Sequence, residues 1–253
     1  MPERYASLKQ GLVGAWIPSV SGSGLLLPDV SGRGNNGTLT NMASDDWVSA
    51  QYGRALDFDG VNDRVEARAL SYRNVLLTVS AWIKPNTVSG VQMIAAQYGA
   101  EGNRSFYLAL INNAVRILAS PNGILFPFGQ GGTATTNWQH VVGVVTNSAF
   151  QIYVNGIAVT TTLTGTYPSQ IFDSTANVVL ADRATTDAPF NGQLDDIRIY
   201  NRVLSESEIR ILAQRPGIGL TTQRRTVYYE LPAPPSFNAG RLRRQQLIGS
   251  GVY

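Results

Sequence analysis

Residues 150–160 have the sequence FQIYVNGIAVT, in which two β-rich segments flank Asn155-Gly156. Asn and Gly both tolerate the positive φ angles of a type I′ turn, so this dipeptide between apolar segments predicts a tight β-hairpin. A second hairpin is predicted where 105–111 (SFYLALI) and 114–119 (AVRILA) flank Asn112-Asn113. Together they predict antiparallel β-structure in this part of the chain.

Short apolar segments separated by turn residues extend from Leu12 to about Tyr200. Further segments of this kind are 76–83 (LLTVSAWI), 138–145 (WQHVVGVV), 178–181 (VVLA) and 194–200 (LDDIRIY). Only residues 205–212 (SESEIRIL) predict a helix, because a serine N-cap and early acidic residues suit a helix N-terminus. About a dozen strands at this spacing predict an all-β fold, a two-sheet antiparallel jelly-roll sandwich with one short C-terminal helix and an extended basic tail.

The composition excludes several classes of site. The chain has 253 residues, 43% of them hydrophobic, which suits one large β domain with an appendage. The absence of cysteine excludes disulfides and thiolate zinc sites, and the single histidine, His140, excludes a His-rich metal centre. No apolar run is long enough to span a membrane, so no membrane partner is expected. The N-terminal segment MPERYASLKQ lacks the apolar stretch of a secretory signal, so synthesis in a cytoplasm is expected.

The charge is unevenly distributed along the chain. Residues 1–214 hold 14 Lys+Arg against 16 Asp+Glu, a net of −2, and residues 215–253 hold six Arg against one Glu, a net of +5, which sum to +3. We therefore predict an N-terminal segment (1–10), a domain (11–214) and an Arg/Pro-rich tail (215–253). Such a tail is expected to become ordered only against its own domain, a sister subunit or a larger assembly, the last two being favoured.

The tail has side chains that suit either nucleic acid or protein. Arginines with interleaved tyrosines can bind phosphate and stack on bases, but the apolar residues between them favour docking on protein over nucleic acid. The residues expected to mediate assembly are Arg224, Arg225, Tyr228, Tyr229, Arg241, Arg243 and Arg244.

Four stretches together point to a family. They are 11–16 (GLVGAW), 55–63 (ALDFDGVND), 78–85 (TVSAWIKP) and 191–205 (NGQLDDIRIYNRVLS). In this order and spacing the chain resembles, over roughly residues 11–214, the laminin G-like domain of the concanavalin A-like lectin/glucanase superfamily. The resemblance implies a jelly roll of two curved antiparallel sheets, in agreement with the strand pattern.

The resemblance also implies a structural calcium ion, Ca2+, where the loop after the first strand (28–38) meets the last strand. Calcium takes about six to eight oxygen ligands, including carboxylates, amides and carbonyls. Strand alternation would place Asp195 and Asp196 on opposite faces, so one of them is expected to bind. In the alternative, Asn and Gly only make turns and Asp29 caps one. The implied ligands are Asp29, Asn35, Asn36, Gly37 and either Asp195 or Asp196.

No catalytic pair is evident. The hydrolytic relatives carry a cluster of Glu and Asp along one strand, and retaining hydrolysis needs two carboxyls about 5–5.5 Å apart. None of the six glutamates lies in such a cluster, and Asp57 and Asp59 match the family's structural turn. His140, next to an apolar strand, is expected to be packed and not to act as a base. We therefore predict that the chain is not an enzyme.

Aromatic residues in loops are the candidate ligand contacts. Trp16, Trp47, Trp82 and Trp138 match structural positions of the family and are expected in the core. The aromatic residues predicted to be available for a sugar are Tyr98, Phe126, Phe128, Tyr167, Phe172 and Phe190. The apolar segment 122–132 is expected to form either a lip that faces a ligand or a subunit contact.

These observations predict a non-catalytic binding module displayed on a larger assembly. The organisation resembles a bacteriophage virion protein, such as a capsid decoration or tail component, made in the host cytoplasm and carrying a glycan-binding role. Its expected partners are other virion proteins, reached through the tail, and glycans, in a homo-oligomer or a symmetric assembly. The alternatives are a free bacterial carbohydrate-binding module, secreted or at the cell surface, and, less favoured, a glycoside hydrolase.

Overall fold

The computed structural model describes residues 5–71 and 75–220. They belong to one compact unit, Met1–Thr221. The tail residues predicted to mediate assembly, from Arg224 to Arg244, lie outside the described residues. Within the described ranges, no helix is both long enough and apolar enough to cross a lipid bilayer.

Seventeen strands and one α-helix form the described fold. The helix is α1 (Glu206–Leu212), and two short 3-10 helices span Ala6–Lys9 and Ser44–Asp46. The strands are β1 (Leu12–Trp16), β2 (Leu26–Leu27), β3 (Gly37–Thr40), β4 (Trp47–Ala50), β5 (Gly53–Asp59), β6 (Arg64–Ala67), β7 (Leu77–Pro85), β8 (Val91–Tyr98), β9 (Arg104–Ile111), β10 (Ala114–Ala119), β11 (Phe128–Gly131), β12 (Gln139–Val145), β13 (Phe150–Val154), β14 (Ile157–Val159), β15 (Thr161–Thr164), β16 (Val178–Leu180) and β17 (Asn191–Tyr200).

The strands form two antiparallel sheets. The eight-stranded sheet has the order β14-β13-β12-β7-β17-β5-β4, with β1 also paired to β17. The nine-stranded sheet has the order β15-β11-β10-β9-β8-β16-β6-β3-β2. This arrangement confirms the predicted jelly-roll sandwich.

The main core lies between the two sheets. Alternate residues of β7, such as Val79 and Ala81, are fully buried in one cluster with Leu108 and Ile117 of the opposite sheet. The sheets approach closely at Gly143, where an added Cβ would lie 2.6 Å from the Ile117 Cβ. Burial of this apolar surface is the main force that holds the sandwich together.

The predicted turns and helix are present. Asn112 and Asn113 have φ angles of 45° and 66°, and Asn155 and Gly156 have φ angles of 51° and 79°, so both connections use the left-handed conformation expected of a type I′ turn. Ser205 caps α1 by accepting a hydrogen bond from the Glu208 amide.

A second apolar cluster covers the outer face of the eight-stranded sheet. Leu8 of the first 3-10 helix, Leu212 of α1 and Ile218 pack with Val142 and Val144 of β12. We call residues 216–220 the strap. The compact unit therefore continues beyond the predicted boundary at residue 214 and also includes part of the predicted N-terminal segment 1–10.

Strand β17 contains a bulge that the sequence analysis missed. The register shifts between Asp195 and Arg198, and Asp196 has a φ of 48°. Leu194 and Ile197 both face the core, so the two residues between them point to the outer side. The expectation that Asp195 and Asp196 lie on opposite faces was wrong, because a bulge interrupts the alternation.

Candidate functional site

The outer face of the nine-stranded sheet carries a row of arginines and aromatic rings. Strand alternation produces it, because Leu108 and Ile117 face the core while their neighbours Tyr107 and Arg116 face outward. We call this surface the arginine–aromatic face, and its members are Tyr98, Arg104, Tyr107, Arg116, Phe126 and Phe128.

One end of this face is a groove of about 400 Å³ across β10, β11 and β15. The Arg116 guanidinium carbon lies 3.9 Å from the centre of the Phe128 ring. The Arg116 Nε donates to Gln130 Oε1 at 2.7 Å, and its Nη2 donates to the same oxygen. Thr162 pairs with Gln130 across the strands, and Thr164 pairs with Phe128. The groove therefore combines an apolar floor with amide, hydroxyl and guanidinium groups.

The other end of the face is built around Tyr98. The Tyr98 and Tyr107 rings meet edge to face, with their centres 5.5 Å apart. The guanidinium carbon of Arg104 lies 5.2 Å from the Tyr98 ring centre and 4.8 Å from that of Phe126. Arg183 also lies over Tyr98, at 5.4 Å, and forms a two-point ion pair with Asp187. That contact lowers the pKa of the Asp187 carboxyl.

An apolar lip borders these two regions. Ile124, Leu125 and Phe126 are each about half exposed. The loop is held in place because Asn122 Oδ1 accepts hydrogen bonds from the amides of residues 124 and 125, and the Gly123 amide donates to Ser120 Oγ. The segment predicted as a lip or subunit contact is thus an ordered apolar projection that runs directly into β11.

The predicted ligand aromatics do not all lie together. Phe126 and Phe128 belong to the arginine–aromatic face, whereas Tyr98 is only 7% exposed and forms its floor. Tyr167 is exposed and stacks on Phe150, with the ring centres 6.0 Å apart. Phe190 is fully buried in the core, so the expectation that it is available to a ligand was wrong.

The tryptophans also divide into groups. Trp16 is buried in the core, and Trp47 packs against it. Trp82 and Trp138 instead line a narrow slot on the outer side of the eight-stranded sheet, together with Tyr52 and Asp195. Trp138 is partly exposed because it precedes β12 and lies at the end of the sheet, so the core prediction was wrong for this residue.

The predicted calcium loop is closed by its own hydrogen bonds. Asp29 Oδ1 accepts from the amides of Ala15 and Ser31, and its Oδ2 accepts from the Asn35 amide at 2.9 Å. Asn36 Oδ1 accepts from the Asp29 amide. These contacts match the alternative in which Asp29 caps a turn.

The other implied ligands are held elsewhere. Asn35 Oδ1 accepts from the Arg68 guanidinium, which puts a positive charge where a cation ligand is needed. Asp195 and Asp196 bond to Ser19, Arg198 and Gly217 and share no partner with Asp29. No group of three or more His, Cys, Asp or Glu residues suited to a metal occurs among residues 5–71 and 75–220. The donor set, including Gly37 in β3, does not fit a calcium ion in this arrangement, and calcium stays an untested prediction.

Two buried titratable groups flank the slot. Burial, followed by the neighbouring Asp196 carboxylate, raises the pKa of Asp195 to about 7. Burial and the Arg198 charge lower the pKa of His140 to about 3. His140 is 1% exposed and its ring centre lies 5.7 Å from that of Trp82. It is a packed, neutral residue, as the sequence predicted.

A buried ion pair holds the strap. Arg198 Nε and Nη2 donate to the two carboxylate oxygens of Asp196 at 2.6 and 2.9 Å, and both side chains are almost fully buried. The Gly217 amide donates to Asp196 Oδ2, and Arg198 Nη2 donates to the Ile218 carbonyl. The pair therefore ties the strap to the sheet.

The carboxylates of the β5 turn are structural. Asp59 Oδ1 accepts from the amides of Val61 and Asn62, and Asp63 Oδ2 accepts from the Asp59 amide. Asp57 faces Gln193 of β17, and burial raises its pKa. The groove beside Phe128 is lined by no carboxylate among the described residues.

A protein-family match that covers most of the sandwich identifies the family of this chain. Residues 59–210 match a laminin G-type family described as the concanavalin A-like lectin/glucanases superfamily. The chain belongs to this superfamily. No curated protein sequence matches it.

Solved structures of the superfamily fold extend the comparison. Domain 4 of AbnA, a GH43 extracellular arabinanase from Geobacillus stearothermophilus, in complex with arabinotriose, is 23% identical with a TM-score of 0.60, covering 80% of this chain and 98% of that domain. The ligand binding domain of botulinum neurotoxin serotype D in complex with N-acetylneuraminic acid is 16% identical with a TM-score of 0.61, covering 83% of this chain. This chain spans about half (52%) of the toxin domain. At these identities the likeness establishes the fold.

Proposed function

We propose that this chain is a non-catalytic saccharide-binding module that uses the groove beside Phe128. The observation that carries the proposal is the placement of an aromatic ring, an amide and two hydroxyls on two adjacent strands, at Phe128 and Gln130 of β11 and at Thr162 and Thr164 of β15. Saccharides are bound by apolar surface against their C–H groups and by a few polar groups that pair with hydroxyls.

Two observations support this function. The arabinanase domain and the neurotoxin domain were both solved with a saccharide and share the fold of this chain, which supports a saccharide as the ligand class. The groove lining holds no carboxylate among the described residues, so it lacks the acid pair that glycoside hydrolysis requires. Binding without cleavage is the function that these groups can perform.

The test is a glycan array followed by titration calorimetry of the ligands found. Gln130→Ala should weaken binding about tenfold, the loss expected when a saccharide hydroxyl loses one well-formed hydrogen bond. Gln51→Ala is the matched control, because Gln51 is an exposed glutamine on a turn beside the other sheet. Equal affinities of the two variants, or no bound glycan, would contradict the proposal.

We further propose that the module is displayed on a larger assembly, a bacteriophage virion, as a capsid decoration or tail component. The support is the charge distribution, because the last 39 residues carry six arginines and one acid. The same fold also suits a free bacterial carbohydrate-binding module, secreted or at the cell surface, as in the extracellular arabinanase.

Removal of residues 222–253 separates these two roles. The cut leaves the compact unit intact, including the strap, which a cut after residue 214 would remove. The truncated chain should fold and bind glycan but fail to enter virions produced in cells that express it. Incorporation equal to that of the full chain would refute the attachment role without affecting the saccharide proposal.

A further inference from the structure

Neither arginine of the arginine–aromatic face has an acidic partner among the described residues. Among the described residues, the Arg116 side chain donates hydrogen bonds only to the neutral Gln130, and the Arg104 side chain makes no ion pair or hydrogen bond. The Arg104 Nε is buried and has no hydrogen-bond partner. Arg183, which lies beside this face over Tyr98, is instead paired with Asp187. Within residues 5–71 and 75–220, the face therefore carries two positive charges that no acidic side chain neutralises.

Each of the two arginines contacts an aromatic ring of the same short segment, residues 126–128. Arg104 rests on Phe126, and two residues further along the chain Phe128 contacts Arg116. The nearest acid in sequence, Glu101, is exposed in the preceding turn and joins no ion pair among the described residues. Both guanidiniums lie over aromatic rings, at 4.8 Å from the Phe126 centre and 3.9 Å from the Phe128 centre, and these contacts restrict the side chains without neutralising their charge.

An oriented guanidinium without an acidic partner is suited to bind an anionic oxygen pair. Its planar N–H groups match a carboxylate or sulfate in a two-point hydrogen bond, and such charge-assisted bonds are about twice as strong as neutral ones. A neutral sugar leaves this capacity for charge-assisted hydrogen bonds unused.

We propose that the preferred ligands of this face are anionic saccharides, whose acidic groups pair with Arg104 and Arg116 while the sugar rings lie along Phe126, Phe128 and the groove. This inference rests on the proposed saccharide function and narrows it to one chemical class. Of the two predicted roles of the lip formed by residues 124–126, this inference favours contact with the ligand over contact with another subunit.

The first experiment compares matched acidic and neutral glycans on one array, using the full-length protein. Oligogalacturonates are printed beside their methyl esters, sialylated glycans beside their asialo forms, and sulfated glycans beside unsulfated ones. Binding should be confined to acidic members and should weaken as salt is raised, because exposed charge pairs are screened. Whether the bound members carry carboxylate or sulfate identifies the anionic group.

The second experiment measures affinity for the strongest acidic hit in three variants. Arg104→Gln and Arg116→Gln should each weaken binding about tenfold or more, the value of one charge-assisted hydrogen bond. Arg104→Lys should give a smaller loss, because it keeps the charge but not the planar fork. Arg54→Gln is the control, since Arg54 also lies on an aromatic ring, Trp47, at 4.9 Å, away from this face.

The outcomes separate the two proposals. Equal binding of acidic and neutral partners, or binding to neutral glycans alone, would overturn the anionic preference and leave the saccharide function standing. Acidic binding that responds no more to Arg104→Gln and Arg116→Gln than to Arg54→Gln would overturn the assignment of the site. Binding to no glycan would overturn both. A melting temperature for each variant excludes unfolding as the cause of a loss.

Discussion

The buried pair between Asp196 and Arg198 offers the sharpest test of how the strap is held. Replacing Asp196 by Asn keeps the size of the side chain and suits the positive φ of 48° at this position, so the main change is the loss of charge. Arg198 is fully buried and would keep its charge without a partner. Breaking a buried pair in this way costs about 3–5 kcal/mol, a large part of the about 5–15 kcal/mol that stabilises a typical protein.

The assay is urea unfolding followed by tryptophan fluorescence, with hydrogen exchange at the Gly217 amide as a second measurement. Asp196→Asn should lower the free energy of unfolding by about 3 kcal/mol or more and should speed exchange at Gly217, whose amide donates to Asp196. The double variant Asp196→Asn/Arg198→Met should recover part of the loss, because it no longer buries an unpaired charge.

An exposed ion pair supplies the control. Arg210 and Glu206 form a bridge of 2.7 Å on α1 with both side chains more than half exposed. Arg210→Ala should cost only about 0.3–0.5 kcal/mol, the value of an exposed helix pair. The reasoning would be refuted if Asp196→Asn cost no more than this control, or if the double variant were less stable than the single one.

Three further predictions follow from the core, the titratable groups and the predicted metal loop. Gly143→Ala should lower stability by about 1–3 kcal/mol in thermal unfolding, because its Cβ would overlap Ile117; unchanged stability would mean that the sheets can separate at no cost. Asp195 has a pKa of about 7 in the folded protein and 3.8 ordinarily, so its contribution makes the free energy of unfolding fall as the pH rises through that interval. His140 has a pKa of about 3 in the folded protein and 6.5 ordinarily, so its contribution makes the free energy of unfolding rise over that interval. Between pH 4.5 and 6.5, the free energy of unfolding of Asp195→Asn should therefore change with rising pH by a more positive slope than that of the wild type. Urea unfolding midpoints that depend on pH in the same way for both proteins would contradict this. Chelation should leave the melting temperature unchanged, because the Asp29 loop is closed by hydrogen bonds; a fall that added calcium reverses would support the calcium prediction.

The hairpin turns and the start of the helix were predictable because short local sequences determine them. Asn-Asn and Asn-Gly between apolar segments gave both hairpins, and Ser205 followed by Glu208 gave the helix start. The bulge in β17 was missed although the sequence carries a signal for it, because the adjacent Asp195 and Asp196 between Leu194 and Ile197 interrupt the apolar–polar alternation of the strand.

The candidate site was predicted only in part. Phe126 and Phe128 were predicted because an apolar loop is unusual on a surface, but no arginine of the sandwich was among the predicted ligand contacts. Arg116 had a signal, as the single charged residue in a strand of apolar ones, which marks an outward position. Its contact with Phe128 depends on the pairing of β10 with β11, and that register is set by the tertiary structure.

The strap and the groove lie on opposite outer faces of the sandwich. Residues 216–220 are bound to the outer face of the eight-stranded sheet, whereas the groove opens on the outer face of the nine-stranded sheet. The described chain therefore ends on the side of the sandwich opposite to the proposed saccharide groove. An assembly that docked on the strap would leave the proposed groove uncovered, so attachment there and glycan binding would use different surfaces.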